Sequence, residues 1–378
     1  MRRTSMIAGA LMVAVGLIAA GCGSSNANAG GGSGELSVTI GVPLPLTGSQ
    51  ASVGQTMLNG AKLAAAQAKG IKVKIVAEDT ACDPQQGVNA ANLLASQGVT
   101  AIAGYYCSGA ALPSITIYHR KDIPTMITGA IDTQITQMGY PQIFRSIGTD
   151  LQEAQAAANL MANTLHYTKV AIISDHSAFG VQEATSTQQL LQKDGVSIVL
   201  DTAISTGQTD FGAVVSQLNS DGAQAVWFTG YFPEGGLLAK QLAASGSKVQ
   251  FIGADSNLDP HFISIAGTSV AEKAIITAEP VSTQTPSAQP FIAAYQKMFN
   301  SPPGPYSSYQ YSGTKALILA IKAANSTQPA KIIAALHKVS FQGPTSQISF
   351  AKDGQLKISD YVPMVIKNGQ FVVRTSSN

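Results

Sequence analysis

The chain has 378 residues, charged residues make up 12% of it, and its formal net charge is +2. The length suits two domains, and the charge content is about half that of an ordinary soluble domain, with Ala, Gly, Ser, Thr and Gln filling the polar positions. There is no basic stripe and, past the N-terminus, no apolar run long enough to cross a bilayer, so neither a nucleic-acid partner nor a spanning helix is expected.

At the N-terminus, Arg2 and Arg3 precede an apolar run over 6–20, and Ala19-Ala20-Gly21 places small residues before Cys22. This is the layout of a secretory signal, too short and wrongly flanked for a spanning helix. Leu17-Ile18-Ala19-Ala20-Gly21-Cys22 resembles a bacterial lipobox, with Ala19 where leucine is commoner. The resemblance implies that residues 1–21 are removed and that Cys22 is lipidated; the alternative is an ordinary signal that happens to meet a cysteine. Two or three acyl chains, at ~0.8 kcal/mol per buried methylene, would hold the protein durably. Residues 22–34, ending in Gly30-Gly31-Gly32-Ser33-Gly34, read as a flexible linker reaching roughly 20 Å.

From residue 36 onward, strand-like runs alternate with helical periods. The range 36–42 reads as a strand and 53–69 as a helix, with Leu58, Ala61, Ala65 and Ala68 on one face. A strand over 72–77, a helix over 86–97 and short strands at 101–103 and 125–127 follow, and Ser108-Gly109 opens a helix. The cycle restarts with a helix over 150–165. Strands are then expected at 170–174, 197–201, 225–228 and 250–253, and helices at 181–193, 211–218 and 234–244. Such alternation calls for parallel sheets covered on both faces. Near Ile275 the pattern changes to helices at 287–299, 309–324 and 329–338. The tail, 348–350 and 361–373, reads as antiparallel hairpins turning at Asp353-Gly354 and Asn368-Gly369. Two αβ cycles followed by returning helices and strands predict two lobes with several crossovers, hence a hinge and a cleft.

No catalytic constellation stands out. G-x-S-x-G, a phosphate loop and H-E-x-x-H are all missing. His119, His166, His176, His261 and His337 have no ligand spacing, so no metal is expected. Ser245-Gly246-Ser247-Lys248 and Ser312-Gly313-Thr314-Lys315 match S-x-x-K without its companion motifs. No enzyme activity and no cofactor are expected. If Cys22 is lipidated, Cys82 and Cys107 remain as a pair, and export makes a disulfide between them plausible. Two buried thiols that never meet are the other reading.

Glu78-Asp79-Thr80-Ala81-Cys82-Asp83-Pro84 opens a series of familiar stretches. Ala103-Gly104-Tyr105-Tyr106-Cys107-Ser108, Gly139-Tyr140 with Phe144-Arg145, and Thr209-Asp210-Phe211 follow it. Gly230-Tyr231-Phe232-Pro233-Glu234, Phe251-Ile252-Gly253 and Pro303-Gly304-Pro305-Tyr306 complete the series. Together, in this order, they resemble the periplasmic leucine/isoleucine/valine-binding proteins, receptors of branched-chain amino acid ABC transporters. The resemblance implies an α/β fold of two Rossmann-like lobes joined by a multi-crossover hinge, the type I periplasmic binding protein fold. The lobes expected are 35–149 with 279–343, and 150–278 with 344–378. It also implies that Cys82 and Cys107 are bonded.

The resemblance further implies a ligand set. Ser108 falls at the serine that holds the ligand carboxylate, at the start of a helix whose N–H groups favour an anion. Phe179, Tyr231 and Tyr306 fall at aromatic walls, and Asp255 at the glutamate that pairs with the ligand ammonium. Ala130, Ile131 and Asp132 belong to the segment that faces the carboxylate. That segment is about one residue short, so either Asp132 or Thr133 stands at the family's threonine. Val53 replaces a common aromatic. The expected partners are a small amino acid, branched-chain or neutral, and a permease, with the membrane met only through the anchor on the outer face of the cytoplasmic membrane; the alternative is a different small polar solute (an amide, a polyol or an aromatic acid) or a ligand-sensing role. A monomer is expected.

Overall fold

In the computed structural model, which describes residues 35–375, the alternating runs become two mainly parallel sheets clad with helices. The expected signal, Cys22 and the linker lie outside the described residues. Strand β1 (Leu36–Leu44) sets the pattern. Ile40, Val42 and Leu44 are wholly buried, as a central parallel strand covered on both faces requires. Helix α1 (Ala51–Ala66) leads to β2 (Ile71–Asp79), and α2 (Pro84–Ser96) leads to β3 (Ala101–Gly104). Both strands pair with β1 in parallel. Then come α3 (Ser108–Arg120), β4 (Thr125–Ile127), α4 (Gln134–Gln137) and β5 (Ile143–Arg145). They complete a five-stranded sheet in the order β2-β1-β3-β4-β5.

Local chemistry sets the helix starts. The Asp83 side chain accepts from the Gln86 N–H at 2.8 Å and Pro84 takes the first helical position of α2. Helix α5 (Asp150–Ala158) opens with a capping box, Thr149 and Gln152 each bonding the other's backbone N–H. Its continuation, Asn159–Thr164, widens to a π-helix, so the single helix expected over 150–165 has two parts.

The second lobe runs through β6 (Lys169–Ser174), α6 (Ala178–Lys193), β7 (Ser197–Ala203) and α7 (Gly212–Ser220). It continues with β8 (Ala225–Phe228), α8 (Phe232–Ala244), β9 (Gln250–Gly253), α9 (Pro260–Ala266), α10 (Thr268–Ala271) and β10 (Ile275–Ala278). The chain then returns to the first lobe with α11 (Gln289–Phe299), α12 (Ser307–Ala324) and α13 (Pro329–Leu336). A Cβ added at Gly60 would lie 2.4 Å from the Ser307 carbonyl oxygen, so α1 and α12 pack backbone to backbone.

A short hairpin pairs β11 (Ser340–Gln342) with β12 (Gln347–Ser349); β12 falls at the strand expected over 348–350, and β11 has no counterpart among the expected strands. The expected turn at Asp353-Gly354 closes only an isolated bridge between Phe350 and Leu356. This segment stays with the first lobe: Phe350 meets Phe144 at 5.2 Å between ring centroids, and the Arg145 N–H donates to the Gly354 carbonyl at 3.0 Å. The third crossing therefore follows Gly354 and does not fall at 343–344. Finally, β13 (Val362–Lys367) and β14 (Gln370–Val373) join the second sheet antiparallel to β10, giving the order β14-β13-β10-β9-β8-β6-β7. Their turn, Asn368-Gly369, has φ of 51° and 73°, the left-handed geometry of a tight hairpin. The fold is thus the expected pair of αβ lobes with three crossings. Cys82 and Cys107 are joined, with their Cα atoms 5.3 Å apart, inside the usual disulfide range; the reading of two separate thiols falls.

Candidate functional site

Ligands of open parallel sheets bind beyond the carboxyl ends of the strands. Here those ends face one another. Tyr106 and Ser108 follow β3, Gly129 and Ile131 follow β4, Phe179 follows β6, Tyr231 follows β8, and Asp255 and Ser256 follow β9. With Tyr306, which precedes α12, they line one narrow cleft whose enclosed void is about 10 Å³.

Of the residues expected there, Ser108, Ile131, Phe179, Tyr231, Asp255 and Tyr306 come together. Ser108 is the first helical residue of α3 and Cys107 is its N-cap, so the helix's opening N–H groups, which have no intrahelical partner, sit at the cleft wall. Ala130 and Asp132 do not line the cleft; Gly129 and Ile131 do. The Ala130 N–H bonds the Tyr105 carbonyl at 3.0 Å. The carbonyls of Ile131 and Asp132 accept from the Arg145 guanidinium at 3.1 and 2.8 Å.

Asp132 is buried at 1% exposure. Its Oδ1 accepts from the Gln134 N–H at 2.8 Å while its Oδ2 has no hydrogen-bond partner. Burial pushes its pKa up to about 6. Thr133 turns its hydroxyl to the Asp150 carboxylate. Neither side chain of the disputed pair lines the cleft, although the Asp132 N–H lies 3.4 Å from Ser108 Oγ. Val53 is buried in the core and does not line the cleft either. Sequence reasoning missed Tyr106, Gly129 and Ser256. Tyr106 could have been suspected, because it stands two residues before Ser108 at the carboxyl end of β3.

The second-lobe wall is acidic. Asp255 is 5% exposed, and burial pushes its pKa up to about 7 against the hydrogen bond from Tyr306, which lowers it. The Asp255 N–H donates to Glu153 Oε1 at 2.7 Å, and Thr277 Oγ1 donates to the same oxygen at 2.6 Å. Glu153 Oε2 and Glu183 Oε2 have no hydrogen-bond partner, and burial holds both carboxyls well above the usual range. No Lys, Arg or His lines the cleft.

The three crossings meet at another carboxyl. Glu279 lies on the second crossing and accepts from the Gly148 N–H on the first at 2.7 Å and from the Ser359 hydroxyl on the third. Burial pushes its pKa up to about 7.

The family model described as "Periplasmic binding protein" matches residues 37–370. The chain is 31% identical over 324 residues to the "Amino acid binding protein" of Pseudomonas aeruginosa, covering 84% of this chain and 86% of that one. It superposes on the leucine-binding protein LivK of Thermotoga maritima with a TM-score of 0.84 at 24% identity, covering 89% and 98% of the two chains. A solute-binding protein of an ABC transporter from R. palustris, in complex with benzoate, superposes with a TM-score of 0.81 at 19% identity, covering 89% and 95%.

Proposed function

This chain belongs to the periplasmic binding protein family, and we propose that it is the lipid-anchored receptor of an ABC importer, capturing a small α-amino acid between its lobes without altering it. The observation that carries the reading is the pairing of unlike walls around one small cleft. The start of α3, with Ser108, offers N–H and hydroxyl groups on one side, and the buried Asp255 carboxyl stands on the other. A helix N-terminus favours a carboxylate, and a buried carboxylate is costly unless a cation meets it. An α-amino acid supplies both charges. Phe179, Tyr231 and Tyr306 enclose the side chain. Because both lobes contribute contacts, the ligand favours the closed arrangement, and the hinge is formed by the three crossings held at Glu279.

The aromatic acid bound by the R. palustris neighbour has no ammonium for Asp255, so an amino acid is the better match. The closed form docks on the importer's permease, and Cys22 carries the anchor.

The test is thermal unfolding of the protein, refolded to strip carried solute, against amino acids, amides, polyols and aromatic acids. A ligand at a thousand times its Kd stabilises the fold by ~4 kcal/mol. A shift with α-amino acids supports the reading; a shift only with uncharged or anionic solutes overturns it. Labelled-palmitate incorporation that survives Cys22→Ala would refute the anchor.

A further inference from the structure

The amino-acid reading leaves the side chain of the ligand open, and a second space between the lobes bears on it. A chamber of about 790 Å³ adjoins the cleft, and Tyr231 lines both. Ser108 lines the cleft while its neighbours Cys107 and Gly109 line the chamber; Phe179 lines the cleft and Ala178 the chamber. The two spaces therefore lie side by side at the starts of α3 and α6.

The walls of the chamber are unlike in charge. The first lobe contributes a largely neutral side, with Gln50, Leu112 and the Cys82–Cys107 disulfide, and the exposed Asp83 is its one charge. The second lobe sets two buried carboxyls opposite. Asp175 follows β6 and is 3% exposed, and Glu234, in the first turn of α8, is 4% exposed. Each is anchored through one oxygen. Asp175 Oδ1 accepts from the Ser177 N–H at 3.0 Å and from its hydroxyl at 2.6 Å, and Glu234 Oε1 accepts from the Gly207 N–H at 2.6 Å. Among the described residues no other residue donates to Asp175 Oδ2 or Glu234 Oε2, and neither oxygen is sealed away from solvent.

Nothing in the chamber balances these groups permanently. No lysine or arginine lines it, and the exposed His176 is the only basic side chain there. Burial holds both carboxyls above their usual range. A buried carboxylate is costly unless a cation meets it.

We propose that the chamber is the side-chain subsite of the ligand and takes a cationic end, the amine or guanidinium of a basic α-amino acid such as lysine or arginine. The inference rests on the amino-acid reading above. Ser108 and Asp255 read the two charges that all α-amino acids share, Phe179 and Tyr231 hold the aliphatic stem, and Asp175 and Glu234 receive the distal cation. A hydrogen bond to a charged group is worth about tenfold or more in affinity, so the distal cation decides between ligands of equal length.

Calorimetric titration of the refolded protein with lysine, arginine, leucine and norleucine tests it. Norleucine keeps the carbon chain of lysine and lacks its amine. The wild-type protein should bind lysine or arginine at least tenfold more tightly than norleucine or leucine. Glu234→Gln, which keeps an acceptor for the Gly207 N–H, should cut that advantage at least threefold and leave norleucine binding within about threefold. Should that variant fail to fold, Asp175→Asn takes its place with the same expectation. An advantage below tenfold in the wild-type protein would overturn the inference and leave the amino-acid reading standing. So would a folded variant whose advantage falls by less than threefold, because the cation would then be read outside the chamber. Binding of no α-amino acid at all, with binding of another solute, would overturn the amino-acid reading and this inference with it.

Discussion

The two walls of the cleft are built on opposite principles. The first-lobe wall is neutral and braced: the start of α3 follows the Cys82–Cys107 disulfide, and Gly129 lies against Tyr106. The second-lobe wall carries ionisable groups under tension. Asp255 lines the cleft, with Glu153 and Glu183 behind it, and burial raises all three. The nearby Arg145 guanidinium turns Nη1 and Nη2 to carbonyls of the first lobe, while its buried Nε has no hydrogen-bond partner. One wall therefore offers fixed dipoles that need no compensation, and the other offers a carboxyl that becomes a favourable carboxylate only when a cation arrives. A ligand with both charges is worth more to this pair of walls than to either alone.

The comparison breaks most sharply at Asp255. Asp255→Ala should cost amino-acid binding ~2–5 kcal/mol, the usual loss when one member of a buried ion pair is removed, and titration calorimetry would read it as at least a thirtyfold rise in Kd. On the braced side, Cys82→Ser should lower stability by ~3 kcal/mol through release of the closed loop. Denaturant unfolding would show this as a lower midpoint with an intact signal for ligand binding to the folded fraction. Ser108→Ala should weaken binding by ~1.5 kcal/mol, one hydrogen bond to a charged group, for every α-amino acid alike.

A smaller effect, spread over pH, sharpens the contrast. Asp255 and Glu279 titrate at about 7 and Asp132 at about 6, all raised by burial. A carboxyl with a raised folded-state pKa contributes stability that is fully present below its unfolded value and is lost as pH rises through the folded value. The unliganded protein should therefore be more stable at pH 5 than at pH 8, declining at up to ~1.4 kcal/mol per pH unit for each proton involved. Glu279→Gln should flatten the decline. A Tm that rises steadily from pH 5 to pH 8 would remove the buried carboxyls from the explanation.

Much of the fold was legible because parallel strands buried on both faces read as continuous apolar runs. Strands 225–228 and 250–253 end where the patterning said they would. The pieces that escaped are short. Strands β5 and β11 have three residues each, too few for a period to register, and they exist because the lobes around them supply partners. At the site, the resemblance led to Ser108, Phe179, Tyr231, Asp255 and Tyr306, each at a strand end or helix start whose local pattern was already clear. In the segment 129–132 it gave Ala130, Ile131 and Asp132, whereas Gly129 and Ile131 line the cleft; no periodicity in a stretch that is neither strand nor helix tells which residues face inward. Tyr106 escaped for a different reason: an aromatic beside a cysteine at a strand end looks like core until the facing lobe is in view.

The central claim is that Asp255 is ionised by the ligand's ammonium, and proton release on binding tests it most directly. The α-amino acid that stabilises the protein most would be titrated into it at pH 6.5 in buffers of different ionisation enthalpy, which yields the number of protons exchanged. A group at about 7 that is held ionised by the ligand should release roughly three quarters of a proton at that pH, and Asp255→Asn should release none. Proton uptake, or no exchange in the wild-type protein that binds the amino acid, would contradict the pairing.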